Sequence, residues 1–213
     1  MFNCHDDMSH FHNEFVRLTI PQRDQLDAHR TANRTRLKDG LAKLKHPTVH
    51  HHVPQGSFEM KTINQHPDRD YDLDDGAAFL KTDLVKSDGT AMPPCEAREM
   101  VRDAIRDPKF NRAPEVRENC VRVFYEEGYH IDIPVYRIPD PNQPDSIELS
   151  SGDTWRKADP IGVTEWFKDS SKAKSPDLVN GGQFRRTTRL FKKYTRSRKA
   201  WRLPSGLAIS KLT

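Results

Sequence analysis

Apolar positions in this chain come in short bursts separated by long polar stretches, and the spacing of the bursts predicts its elements. Residues 21–44 read as one long helix: Leu37, Leu41 and Leu44 recur at helical spacing, Thr19 can cap the first turn and Pro21 suits it. Its other positions are mostly polar, so only a narrow stripe can be buried. Residues 45–54 are a connector containing His and Pro, and Gly56-Ser57-Phe58 should open a turn. Residues 69–76 alternate and end at Gly76, which fits a strand running into a turn, whereas 81–94 reads as loop. Residues 94–107 fit an amphipathic helix, with Ala97, Met100, Val101 and Ala104 on one face.

The strongest strand signal is a hairpin. Residues 119–125 and 129–137 are rich in β-formers and flank the turn Glu126-Glu127-Gly128. Residues 138–159 are dense in Pro, Ser, Asp and Asn and are expected as a long surface loop. A helix should start at Asp159-Pro160 and run to residue 169, with Trp166 and Phe167 available to pack. A linker to residue 182 and a helix over 183–201 follow, the latter with Phe184, Thr187, Leu190, Phe191 and Tyr194 on one side. Residues 205–213 form an apolar run that reads as cut short and as wanting a partner surface. Together these elements predict an α/β (α+β) fold: a small mixed or antiparallel sheet, helices packed on one face, and a long N-terminal helix.

Composition narrows the class. With 34% hydrophobic and 31% charged residues the chain reads as soluble and folded around a modest core. It has no apolar stretch of membrane-spanning length and no secretory leader, so no membrane is expected as a partner. Cys4, Cys95 and Cys120 are widely spaced and odd in number, which predicts reduced thiols and a cytoplasmic location. The net charge is only +4, but it is unevenly placed: no acidic residue follows Asp177, while Asp68, Asp70, Asp72, Asp74 and Asp75 crowd one short run. An acidic knot and a basic tail point to metal ions and phosphates as shared ligands.

Asp72 and Asp74 are two residues apart, so on a strand both carboxylates share a face while Leu73 points toward a core. Asp132, between Ile131 and Ile133 on the hairpin, should face the same way as His130. Carboxylates that converge raise one another's pKa, and divalent cations relieve that repulsion. Carboxylate-only ligands favour Mg²⁺ or Mn²⁺, and two such ions can clamp the attacking and leaving oxygens of an in-line displacement. Gly56 lets backbone N–H groups approach phosphate oxygens, and Ser57 adds a hydroxyl. Arg186, Arg189 and Lys192 or Lys193 share a helical face that could hold a triphosphate. A calcium loop starting at Asp70 is rejected, because its sixth and twelfth positions are Asp75 and Lys81. His50-His51-His52 with His46, and Cys4 with His5, His10 and His12, lack metal-ligand spacing. His130 reads as a structural hydrogen-bonding group.

Three segments, Pro54-Gln-Gly-Ser-Phe58, Tyr71-Asp-Leu-Asp-Asp-Gly76 and Tyr129-His-Ile-Asp-Ile-Pro-Val-Tyr-Arg137, resemble the bacterial cGAS/DncV-like nucleotidyltransferases, especially their cyclic GMP-AMP synthases, within the polymerase β-like superfamily. The resemblance runs from Phe11 to the last residue and takes in Asp159-Pro160, Trp166-Phe167, Arg186, Arg189, Lys192 and Pro204-Ser205-Gly206. It implies a nucleotidyltransferase core over 49–158, an N-terminal helical segment over 1–48, and the start of a helical second lobe over 159–213 whose remainder this sequence lacks. It also implies Asp72, Asp74 and Asp132 as ligands of two Mg²⁺ ions. Gln55, Gly56 and Ser57 would hold the donor phosphates, Lys192 and Ser205 the donor nucleotide, and Arg122 the acceptor phosphates. The implied substrates are ATP and GTP, and the implied product is a cyclic di- or trinucleotide, cyclic GMP-AMP first, acting with defence-operon partners against phage. Ala158 departs from the serine many relatives carry. Two further readings are a transferase that modifies tRNA or protein and a non-catalytic binding fragment.

Overall fold

The computed structural model describes residues 3–66, 71–177 and 182–198. Ser205, Trp201 and the apolar run 205–213 therefore lie outside the described residues.

The sheet is organised around β2 (Asp72–Leu80). On one edge it pairs antiparallel with β1 (His51–Gln55), matching Gln55 to Asp74 and His51 to Ala78. On the other edge it runs parallel to β5 (His130–Ile133) and β6 (Val135–Ile138) in one continuous register, from Asp72 opposite His130 to Leu80 opposite Ile138. The expected second hairpin strand is thus split at Pro134. Proline has no N–H to donate, and here its carbonyl accepts from the Ala77 N–H at 2.9 Å, so the two halves stay in line. β4 (Val121–Phe124) completes the predicted hairpin with β5, and β3 (Glu115–Val116) extends that edge. At the other end β6 pairs with β7 (Ile147–Ser151), and β7 with β8 (Thr154–Ala158), giving an eight-stranded sheet.

Two expectations are corrected here. Gly76 does not end the strand but lies inside it, and it must be glycine there because a β-carbon would come within 2.6 Å of the Tyr136 ring. The stretch expected as loop, 138–159, holds the β7–β8 hairpin. Its period-2 pattern, Ile147 and Leu149, is short and is flanked by turn-forming residues that dominate the composition; the Gly152-Asp153 turn takes φ +53° at the glycine.

α2 (Ile20–Lys43) is the long helix, and Thr19 closes a capping box with Gln22: each side chain accepts from the other's backbone N–H. Its inward stripe is Leu26, Leu37 and Leu41, while Leu44 lies past the end and is exposed. At Gly40 the helix crosses α4 (Pro94–Ile105) backbone to backbone; an added β-carbon would lie 1.8 Å from the Ala104 carbonyl oxygen. Gly40→Ala is expected to cost about 2 kcal/mol through overpacking, measured by urea denaturation; an unchanged midpoint would mean that the helices separate freely. Ahead of α2, a short helix, α1 (His5–Phe11), runs into a π-helical turn at His12–Val16.

α2 and α4 cover one sheet face, where Leu73, Phe79, Val121, Val123, Ile131 and Ile133 meet Leu37, Leu41, Met100 and Val101. On the opposite face a smaller cluster of Val53, Ala78, Tyr136, Ile138 and Ile147 is joined by Ile161 of α5 (Pro160–Lys174). The Asp159 side chain caps α5 by accepting from the Gly162 N–H at 2.8 Å, and the helix extends past residue 169 into the expected linker.

The last described helix, α6 (Gln183–Ser197), turns its basic side inward. Arg189 is buried, whereas Phe191 and Tyr194 are exposed, the reverse of a core-facing apolar stripe. The surface it meets is a row of backbone carbonyls: Arg185 donates to Met60 O, Arg189 to Lys61 O, Lys192 to Thr62 O and Lys193 to Gln65 O. Buried carbonyls need donors, and cationic side chains supply them. Among the described residues no helix is long and apolar enough to cross a membrane. Cys4, Cys95 and Cys120 are all unpaired.

Candidate active site

In-register strands place side chains in rows, and one such row crosses the sheet here. Gln55, Asp74, Asp132 and Arg122 stand side by side on β1, β2, β5 and β4. A second row, two residues along, holds Asp72, His130 and Phe124. All face the side opposite α2 and α4, because Leu73, Ile131 and Ile133 take the core. Asp72, His130 and Asp132 each offer one ligand atom, and these atoms lie within 4.8 Å of one another. No other group of this kind exists among the described residues, so neither His50-His51-His52 nor the N-terminal Cys4 and His cluster gathers as a site. His12 is instead buried between Arg189 and Asn13, and burial holds its pKa below the ordinary value.

Asp72, Asp74 and Asp132 share this face, but Asp74 is not in that group, and the three differ. Asp132 is buried, and both its oxygens accept from Arg122, Nε to Oδ1 and a terminal nitrogen to Oδ2, each at 2.8 Å. Asp74 points toward Gly56, the first residue of the four-residue helix α3 (Gly56–Glu59) that follows β1. Burial, then the Asp72 and Asp132 charges, raise the Asp74 carboxyl well above the usual carboxylate range, while Arg122 and Lys192 pull it back. A bound cation would relieve that repulsion. Two carboxylates and an imidazole at this spacing, beside a third carboxyl under that repulsion, fit a divalent cation.

Gly56 has a second role besides backbone access. It sits at φ +69°, and a β-carbon there would lie 2.1 Å from Asp74 Oδ2. Gly56→Ala should cost about 1–2 kcal/mol from the left-handed backbone alone and displace the Asp74 carboxylate. A calorimetric melt and a Mn²⁺ titration would show both losses, and a variant with wild-type metal affinity would separate Gly56 from Asp74. Gln55 is fixed from the far side, accepting from the Tyr136 hydroxyl at 2.7 Å, and Gly76 leaves the space through which that ring reaches it.

The basic residues divide. Lys192 lies close enough to Asp72 and Asp74 to feel both charges, yet burial lowers its pKa to about 8. Arg189, expected on a phosphate-facing side, is buried on Lys61 O and His12, and Arg186 pairs with Asp177 at 2.6 Å. The sequence places His130 on the face of Asp132 as a structural hydrogen-bonding group, and it is the structure that brings it beside Asp72. Its signal is the register Asp72 opposite His130, a parallel pairing that no local pattern encodes.

Residues 50–136, which contain this whole patch except Lys192, match the family described as "Cyclic GMP-AMP synthase DncV-like, nucleotidyltransferase domain". These residues are therefore similar to a DncV-like nucleotidyltransferase domain. Solved structures share its architecture. The Vibrio cholerae DncV cyclic AMP-GMP synthase superposes with a TM-score of 0.68 at 20% identity, over 92% of this chain and 67% of that one. The Escherichia coli MS115-1 CdnC in its HORMA-deltaN complex gives 0.66 at 18% identity, over 93% and 58%. Vibrio cholerae DncV with the linear intermediate 5′ pppA(3′,5′)pG gives 0.62 at 21% identity, over 85% and 62%. At such identities the likeness is one of fold, and this chain spans about three-fifths to two-thirds of the length of those relatives. In the DncV-like domain the aspartate rows occupy the centre of the sheet, at the strands with partners on both sides.

Proposed function

We propose that this chain is the catalytic part of a nucleotidyltransferase that joins nucleoside triphosphates, ATP and GTP, into a cyclic oligonucleotide and releases pyrophosphate. The observation that carries the reading is the patch of Asp72, Asp74 and Asp132 beside the β1–α3 junction, inside a DncV-like domain. One similar structure is a cyclic AMP-GMP synthase, and another structure of it holds the linear intermediate pppA(3′,5′)pG; both favour a cyclic product. On the same footing, residues 159–213 begin a second lobe, the protein works in the cytoplasm, and the product signals in antiphage defence with operon-encoded partners.

In this reading Asp72, Asp74 and Asp132 hold two Mg²⁺ ions, which when bound polarise the α-phosphate and lower the pKa of the attacking ribose hydroxyl. Gln55, Gly56 and Ser57 present the donor phosphates with backbone N–H groups at the start of α3, which have no helical acceptor of their own. Lys192 brings its ammonium to the triphosphate from the other side, and Ser205 contacts the donor nucleotide. Arg122 orients Asp132 through their two hydrogen bonds, and its outer edge meets the acceptor phosphates.

The role of Lys192 predicts a pH profile. A lysine whose pKa lies near 8 is cationic below that pH and neutral above it. Affinity for triphosphate should therefore fall as pH rises through 8, whereas Lys192→Arg should hold it constant through that window, because guanidinium stays charged. The ratio kcat/KM measured across the window checks this, and a flat wild-type profile would remove Lys192 from phosphate binding.

The test of the function itself is incubation of the chain with radiolabelled triphosphates and Mg²⁺. A phosphatase-resistant small molecule on thin-layer separation is the expected product. Label retained on tRNA or protein would replace the cyclase reading with macromolecule modification, and label left only in free triphosphate would argue for a binding role.

A further inference from the structure

His130 stands at the corner of the four-residue patch, directly opposite Asp72 and two residues from Asp132 on the same strand face. A carboxylate-only metal site uses Asp72, Asp74 and Asp132 and does not draw on this imidazole. The three side chains whose ligand atoms come within 4.8 Å of one another are Asp72, His130 and Asp132; Asp74 is not among them. Ligands on opposite sides of a small octahedral ion lie about 4.2 Å apart and neighbouring ones about 3 Å apart, so the group needs only a small contraction to share one ion. Asp72 and His130 are half-exposed while Asp132 is buried, so the group opens toward solvent on the His130 side, where an ion can enter. The strand that carries His130 is held on both sides: Phe124 of β4 is its register partner, and the His130 backbone N–H donates to Tyr71 O at 3.3 Å.

We propose that His130 is a direct ligand of a divalent ion held with Asp72 and Asp132, and that it makes this site prefer Mn²⁺ over Mg²⁺. Imidazole nitrogen is a borderline ligand: Mn²⁺ and the later transition ions accept it readily, whereas Mg²⁺ demands oxygen and sheds water reluctantly. Arg122 strengthens the bias. Its guanidinium already balances part of the Asp132 charge, so the site has less of the negative charge that a hard ion relies on. The inference rests on the nucleotidyltransferase reading only in taking the aspartate patch as a metal site.

The experiment uses the full chain and Mn²⁺ alone, without nucleotide. Electron spin-echo modulation of bound Mn²⁺ should show a directly coordinated ¹⁴N, and its coupling should change when the protein is labelled with ¹⁵N-histidine. That readout needs no variant. In competition titrations, His130→Asn should lower the preference for Mn²⁺ over Mg²⁺ by about tenfold or more, a size typical of losing one metal contact. Bound Mn²⁺ with no nitrogen coupling, or an unchanged preference in a folded His130→Asn variant, would overturn the proposal, as would a wild-type chain that binds no Mn²⁺. Asp132→Asn separates the two readings. If it abolishes Mn²⁺ binding while nitrogen coupling is absent in wild type, only the role of His130 fails. If it binds Mn²⁺ like wild type, the aspartate patch is not the metal site and the proposed function fails with it.

Discussion

Asp132→Ala should lower the rate of pyrophosphate release from nucleoside triphosphates by about three orders of magnitude, about 4 kcal/mol of barrier. Asp132 sits in the middle of the first row, with Asp74 beside it on β2, Arg122 beside it on β4 and His130 two residues back. Its loss removes a carboxylate from the proposed metal patch and leaves the Arg122 guanidinium without its bidentate partner. Some of any loss could therefore be structural. Asp132→Asn keeps the shape and an acceptor for Arg122, so a comparable rate loss in that variant, with an unchanged melting temperature, assigns the effect to charge. Asp72→Ala is expected to act similarly from the open side. Retention of more than a tenth of the activity in either alanine variant would exclude that residue as a ligand.

The second large effect concerns stability. Asp75 follows Asp74 but points to the other face, where it is 4% exposed and bound in fork-to-fork fashion by Arg34 of α2, with Arg34 Nε to Asp75 Oδ2 at 2.7 Å. Arg34→Ala would strand a buried carboxylate, and removing one partner of a buried pair costs about 3–5 kcal/mol. Replacing both partners with apolar residues, Arg34→Met with Asp75→Leu, should recover most of that loss, because no unpaired charge is then buried. Urea denaturation of the four corners of this cycle measures the coupling. A single-variant loss below about 1 kcal/mol, the range of exposed pairs, would mean that water reaches Asp75.

What could be read from the sequence followed from local physics. α2, α4 and the β4–β5 hairpin declare themselves through spacing and capping, and the Asp72-Leu73-Asp74 alternation puts two carboxylates on one face with no tertiary information. What escaped is non-local. The His130 neighbourhood depends on a parallel register, and Gly76 is explained only by the Tyr136 ring that crosses it. α6 is amphipathic in either orientation; the choice between its apolar and basic sides was made by the carbonyls of residues 60–65, which a helix-by-helix reading does not see. The β7–β8 hairpin was hidden because its flanks are richer in turn formers than its short strands are in β-formers.

The unbroken register across Pro134 has a consequence for any reaction that must happen twice. Asp72 and Asp74 share one strand, Asp132 lies on its immediate partner, and that partner is flanked by β4, so no hinge separates the carboxylates. A ring of nucleotides needs successive bonds made on different sugars. If the chain closes a ring as proposed, an immobile patch leaves the reorientation between successive bonds to the half-made product, which would have to let go, turn end for end and be gripped again.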